Sequence, residues 1–253
     1  MGALDGKHVL ITGGGTGIGA AIARALSKEG AKLSLAGRRK ETLEAIAKEL
    51  PRTAAIVADI TRDADCAAMV VAANKAHGPV DIVIANAGAA SSAPAGQIDL
   101  KTWQAAIDVN LTGAFLTVGA ALADVTRAPG GRIIFIASTA GLKGYPYVAA
   151  YVAAKHGVVG LMKALSIEFA SKGVTVNAVC PGFTDTPLLD AAATKISAKT
   201  GRSTDDSRAA LAKDNAHGRL ITPEEVASTV LWLCSRAASS INGQAIAVTG
   251  GPL

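Results

Sequence analysis

Apolar residues in this chain gather into short unbroken runs, separated by stretches with helical spacing. The runs are "KHVLIT" (7–12), "KLSLA" (32–36), "TAAIVA" (53–58), "DIVIA" (81–85), "GRIIFIA" (131–137), "VTVNAVC" (174–180) and "QAIAV" (244–248). Apolar side chains at nearly every position, rather than every second one, mark strands covered on both faces. Between them, "IGAAIARALSKEG" (18–30) has helical periodicity and stops at Gly30 after a Lys and a Glu. "TPEEVASTVLWLCS" (222–235) opens with Thr222 as N-cap, Pro223 as the first helical residue and Glu225 as the carboxylate of a capping box. Further helices around 102–126 and 148–171 are apolar over more of their circumference than one contact with a sheet requires. This alternation predicts an α/β fold, a doubly wound parallel sheet of about seven strands in a single domain over 1–253. One stretch breaks the rhythm: 183–219 holds no strand pattern, and an insertion of this length reads as a substrate lid. Its six Lys or Arg against five Asp name no ligand.

Composition narrows the picture. Half of the 253 residues are hydrophobic, 4% are aromatic and 27 are glycine, which suits tightly packed strands and helices. Cys66, Cys180 and Cys234 are scattered without metal-site spacing, as expected of small apolar side chains in a reducing compartment. The net charge of +5 is dispersed, and the longest basic block is "GRRK" (37–40), so nucleic acid is not expected as a partner. Charges interrupt every apolar run, no segment reaches the length needed to span a bilayer, and the N-terminus does not read as a signal peptide. A cytoplasmic protein is expected. His8, His77, His156 and His217 form no ligand cluster, so no metal is expected either.

Candidate chemistry begins with "TGGGTGIG" (12–19), which follows the first strand and opens a helix. Glycines at 13, 17 and 19 allow a sharp turn and let a pyrophosphate reach the helix N-terminus, where unpaired N–H groups and the helix dipole favour negative charge. At the end of the second strand, Gly37 stands where an acid would hold the adenosine ribose, and Arg38 and Arg39 follow. Guanidinium groups suit a 2′-phosphate, so NADP(H) is favoured and NAD(H) remains possible. In "YVAAK", Tyr151 and Lys155 are four residues apart, which on a helix turns both polar ends into one region.

Three more pieces fall where strands end or helices bend: "ANAG" (85–88), "VNLTG" (109–113) inside a helix, and "IASTAG" (136–141). With "TGGGTGIG", "YVAAK", Ser138 thirteen residues before Tyr151, and "CPGFTDT" (180–186), they resemble the short-chain dehydrogenase/reductase family, nearly end to end from Thr12 to Gly251. The resemblance implies a Rossmann-type fold and a catalytic set of Asn110, Ser138, Tyr151 and Lys155. Tyr151 would serve as general acid or base at the substrate oxygen. A phenol has a pKa near 10, and the Lys155 ammonium together with an oxidised nicotinamide would lower it. Lys155 would also hold the nicotinamide ribose, Ser138 the substrate oxygen, and Asn110 would distort its helix and hold a water linking Lys155 to solvent. Cofactor contacts are implied for Gly13, Gly15, Thr16, Gly17, Ile18 and Gly19, and for Arg38, Arg39, Asp59 and Ile60. Asn86, Ala87 and Gly88, then Tyr151 and Lys155, then Pro181, Gly182, Thr184 and Thr186 complete the set, with Thr186 near the carboxamide and phosphates. The family often carries a second asparagine where this chain has Ala85, a departure expected to affect strand support more than chemistry.

The implied reaction is hydride transfer between a nicotinamide and a secondary alcohol or ketone. The segments "YVAAKHGVVGLMKALSIEFASKGVTVNAVCPGF" and "GRLITPEEVA" look most like 3-oxoacyl-thioester reductases and 3-hydroxyacyl-CoA dehydrogenases, so a substrate on CoA or acyl carrier protein is expected. A sugar, steroid or aromatic alcohol is the alternative, and a non-catalytic dinucleotide-binding regulator a further one. Related reductases pair these two apolar helices across a two-fold axis and commonly form tetramers, which implies a homotetramer here. Ala149, Ala153 and Gly157 are small enough for a second helix to approach.

Overall fold

The computed structural model describes residues 2–253. Seven parallel strands form one sheet: β1 (His8–Thr12), β2 (Lys32–Gly37), β3 (Thr53–Val57), β4 (Ile82–Ala85), β5 (Arg132–Ile136), β6 (Thr175–Pro181) and β7 (Ala245–Val248), in the order β3-β2-β1-β4-β5-β6-β7. The order reverses between β1 and β4, and such a switch point opens a crevice at the carboxyl ends of the strands. β1, β4, β5 and β6 are buried along their whole length, as their continuous apolar runs require.

Helices cover both faces. On one, α1 (Gly17–Lys28), α2 (Lys40–Glu49) and α9 (Pro223–Cys234) bury Ile22, Leu26, Leu43, Val226, Val230 and Leu233 against β1, β2 and β5. On the other lie α3 (Asp63–His77), the pair α4 (Leu100–Ile107) and α5 (Gly113–Arg127), and α6 (Ala149–Glu168), packed through Met69, Val118, Val158 and Met162 onto Val83, Ile133 and Phe135. The capping box read at α9 is present: Thr222 Oγ1 accepts from Glu225 N at 3.2 Å and Glu225 Oε2 from Thr222 N at 2.7 Å.

Two expectations change. The first is the absence of a segment long enough to cross a bilayer. A π turn over Asp108–Thr112 joins α4 and α5 into one helix of 28 residues, Leu100–Arg127, which by length and composition alone could do so. Its inner face packs on β4 and β5, while Leu100 and Phe115 stay exposed. The second is the supposedly open apolar face of α6. Val159 and Met162 are buried inside the chain, and Gly157 is covered by Leu111 of the neighbouring helix. The stretch 183–219, read as holding no strand, folds as α7 (Pro187–Thr200) and α8 (Thr204–Ala212). Arg208 on α8 ties the two together by pairing with Asp185 at 2.6 Å and with Asp190.

Candidate active site

The carboxyl ends of β1, β2, β4 and β5 open into a cleft of about 450 Å³. Its floor begins with the turn from β1 into α1. A side chain at Gly19 would run into the Gly13 carbonyl, so only glycine lets the first turn of α1 approach the loop this closely. Thr16 stands at the N-cap but makes no side-chain capping bond; its Oγ1 accepts from Arg39 Nη2 at 3.2 Å, and the first turn of α1 holds no acid. The leading N–H groups of α1 therefore face the cleft without a side-chain cap, the arrangement that suits a phosphate. The fit to a dinucleotide rests on this feature and on the cleft's length, from Arg38 at one end to Tyr151 and Lys155 at the other.

Asn86 lines the cleft with Ala87 and Gly88 and also has a structural duty. Its Nδ2 donates to the Thr12 carbonyl at 2.8 Å and the Gly13 carbonyl at 3.2 Å, so its amide braces the glycine turn from below. Thr12, which sequence reasoning passed over, completes the brace: its buried Oγ1 accepts from Asn86 N at 3.1 Å and Ala87 N at 3.2 Å. These bonds lock the ends of β1 and β4 at the switch point.

At the β2 end, Arg38 and Arg39 line the cleft, as do Asp59 and Ile60. Asp59 accepts from Thr61 N at 3.0 Å and Thr61 Oγ1 at 2.8 Å. Those hydrogen bonds, helped by the Arg38 and Arg62 charges, hold its carboxyl below the usual aspartate value. A side chain at Gly37 would meet nothing closer than Leu43 at 3.7 Å, so an acid would fit there and is absent.

The catalytic candidates converge at the other end. Tyr151 and Lys155 sit one turn apart on α6, with Lys155 Nζ 5.7 Å from the Tyr151 ring centre. Lys155 is buried and donates to the Ile136 carbonyl at 2.8 Å. Burial lowers its pKa to about 8. Burial also raises the Tyr151 phenol, opposed by the Ser138 side chain. In the protein alone, desolvation thus penalises the charged form of both groups. Ser138 leads a short turn after β5, its Oγ accepting from Ala140 N at 3.1 Å.

Asn110 occupies the π turn between α4 and α5. Its Nδ2 donates to the Ala106 carbonyl at 2.9 Å, the acceptor that its own backbone N–H would take in a regular helix. The amide also spans the Ala89 backbone, donating to its carbonyl at 2.8 Å and accepting from its N–H at 3.2 Å. The local helix distortion is thus the side chain's own doing.

Among the residues expected after β6, Thr186 lines the cleft with Pro187 and Leu188, whereas Pro181, Gly182 and Thr184 do not. Thr184 is buried and donates back to the Gly182 carbonyl at 3.0 Å. Sequence reasoning missed Tyr145: its hydroxyl donates to Thr139 Oγ1 at 2.8 Å, beside Ser138, and its ring meets Phe183 edge to face with centres 5.9 Å apart.

The family profile described as "short chain dehydrogenase" matches residues 7–197. A Streptomyces coelicolor protein whose name assigns it, provisionally, as a ketoacyl reductase is 37% identical, the alignment covering 99% of this chain and 98% of that one. D-beta-hydroxybutyrate dehydrogenase of Rhizobium meliloti is 35% identical over 97% of this chain and 98% of its own. Among solved structures, a variant of actinorhodin polyketide ketoreductase with NADPH superposes with a TM-score of 0.94 at 35% identity, covering 99% of this chain and 98% of that one.

Proposed function

The chain belongs to the short-chain dehydrogenase family, an oxidoreductase with a nicotinamide cofactor and a small-molecule substrate, and from that premise we propose that it is an NADP(H)-dependent reductase of 3-oxoacyl thioesters. The observation that carries this reading is a cleft lined at one end by Tyr151 and Lys155, with Ser138 beside the Tyr151 phenol, and at the other by Arg38 and Arg39. The names of the ketoacyl and hydroxybutyrate relatives support the thioester or 3-hydroxyacyl class.

When bound, the nicotinamide supplies or accepts the hydride. Tyr151 donates its hydroxyl proton to the oxygen of the ketone being reduced, or removes it in the reverse direction. Ser138 hydrogen-bonds the same oxygen and holds it against the phenol. Lys155 stands behind the phenol, stabilises phenolate once the proton has left, and reaches the ribose side of the cleft. Asn110 shapes the helix turn over Ala89 and would hold a water that returns protons to Lys155. Thr16 and the uncapped N-terminus of α1 would hold the pyrophosphate, and Arg38 and Arg39 the 2′-phosphate. Segment 183–219 serves as the substrate lid through α7 and α8.

Assembly as a homotetramer is part of the proposal. Leu100, Trp103, Phe115 and Ile167 leave apolar area exposed on the α4–α5 and α6 side. A self-complementary contact there would cover it. Light scattering at micromolar concentration should give about four times the 25.3 kDa chain mass; a monomer mass overturns it.

The functional reading is tested by following NADPH and NADH oxidation with acetoacetyl-CoA, simple ketones, a sugar and a steroid. Acetoacetyl-CoA should be reduced fastest, with NADPH. Faster turnover of the sugar or steroid would move the protein to another substrate class, and no turnover with any ketone would overturn the reductase reading.

A further inference from the structure

The stretch from Phe183 to Ile221 leaves the sheet and returns to it. Thr184 and Ile221 form a parallel bridge, Ile221 N donates to the Phe183 carbonyl at 2.9 Å, and Asp185 N to the Ile221 carbonyl at 2.9 Å. Inside this closure lies Asn215, which is 2% exposed. Its Oδ1 accepts from Phe183 N at 3.0 Å, and its Nδ2 donates to the Phe183 carbonyl at 2.8 Å and the Arg219 carbonyl at 2.7 Å. Both polar ends of one amide thus grip both polar ends of one residue, as a neighbouring strand would. Gly182 is needed for this approach, because a side chain there would collide with Asn215 Oδ1. The next residue, Ala216, donates from its N–H to the Thr249 carbonyl at 3.2 Å, so the grip is anchored to the end of β7.

What Asn215 holds bears on the reacting end of the cleft. The Phe183 ring meets Tyr145 edge to face, and the Tyr145 hydroxyl donates to Thr139, the neighbour of Ser138. A rotation at the Phe183 backbone would shift that ring, release Tyr145 and loosen the turn that presents Ser138. The glycine loop, Arg38 and Arg39 lie on other strands and share no bond with Asn215.

We propose that Asn215 is a positioning residue for the reductase reaction. It fixes the Phe183 backbone and so sets the Phe183–Tyr145 wall beside Ser138, governing ketone placement more than cofactor binding, although Thr186, three residues on, lines the cofactor cleft. The proposal rests on the reductase reading for its kinetic test and on geometry alone for its second.

With whichever ketone the wild-type protein reduces, Asn215→Ala should raise KM about tenfold with kcat changed by less than about threefold and NADPH affinity within about twofold. Asn215→Asp keeps the volume and the acceptor for Phe183 N–H but sets a carboxylate oxygen against the Phe183 and Arg219 carbonyls, so its KM should rise at least as far as that of Asn215→Ala. KM within about twofold of wild type in folded Asn215→Ala, or loss of NADPH affinity in step with turnover in both variants, assigns Asn215 to packing alone and overturns the proposal. Amide exchange gives the second readout. In Asn215→Ala, peptides covering 181–186 should exchange faster while those covering 13–19 stay unchanged; unchanged exchange at 181–186 overturns the proposal even if no ketone is turned over. Absence of turnover in the wild-type protein would count against the reductase reading only.

Discussion

The two ends of the sheet each open into a cleft of similar size, about 450 Å³ at the carboxyl ends and about 400 Å³ at the amino ends, yet they differ in what their polar groups are doing. At the amino ends the groups satisfy one another. Asp81 pairs with Lys7 at 2.8 Å and accepts from His8 N at 2.9 Å, while Lys7 also reaches the Pro129 carbonyl. The buried His8 ring spans the Gly78 carbonyl at 2.7 Å and Ser34 Oγ at 2.9 Å, and Asp124 accepts from Asn74. Three atoms are the exceptions: Asn74 Oδ1, and Arg132 Nε and Thr175 Oγ1 on residues paired across β5 and β6, are unpartnered. At the carboxyl ends the pattern reverses. α1 starts without a side-chain cap, and the Tyr151 phenol and Lys155 amine are buried at a cost to their charged forms. Cleft volume therefore does not locate the chemistry; groups left available for a ligand do.

The sharpest way to break this comparison is at Tyr151. Tyr151→Phe keeps the ring and removes only the hydroxyl, so turnover should fall about a hundredfold to ten-thousandfold while NADPH binds as before. Substantial turnover in that variant removes the phenol from the mechanism. Asp81→Ala is the counterpart at the opposite end. It strands Lys7 and the His8 N–H, and should cost about 1–3 kcal/mol in denaturant unfolding without changing kcat. A fall in kcat at full folding would show that the two ends are coupled.

Arg38 and Arg39 test the cofactor end. Charge-assisted contacts to a 2′-phosphate should favour NADPH in kcat/KM by about tenfold to a few hundredfold. Gly37→Asp, which has room for its side chain, should erase or invert that preference. Equal values for the two cofactors in the wild-type protein contradict the assignment.

The smallest effect is expected from His8. Burial holds its pKa below 6.5, so the folded protein prefers the neutral ring, which donates to Gly78 and accepts from Ser34. This contribution is complete above about pH 6.5 and is lost as pH falls through the lowered value, because the unfolded chain then binds the proton more readily. Melting temperature should decline on acidification below that point. His8→Gln, which has no ring to protonate, should start lower and flatten that part of the slope; an unchanged slope would place the acid sensitivity elsewhere.

Much of this was legible in the chain because the signals are local. Strands buried on both faces read as unbroken apolar runs, and all seven lie within about a residue of those runs. The capping box at Thr222 and the glycine turn after Thr12 are fixed by neighbours within a few positions. What stayed hidden depends on partners far apart in sequence. The bracing role of Asn86 depends on its reach across 74 residues to Thr12. Tyr145 and Asn215 act through Phe183, 38 and 32 residues away, and nothing near either marks them. The π turn at Asn110 is a competition for one carbonyl, which leaves no periodicity to read. The burial that raises the Tyr151 phenol in the protein alone is likewise not visible in "YVAAK", where only charge proximity can be read.

The contrast between the two ends is tested most directly by amide hydrogen exchange with and without saturating NADPH. Protection should rise in peptides covering 13–19, 37–42 and 86–89 and leave those covering 78–81 and 129–132 unchanged. Protection gained at 78–81 or 129–132, or none at 13–19, would contradict the account.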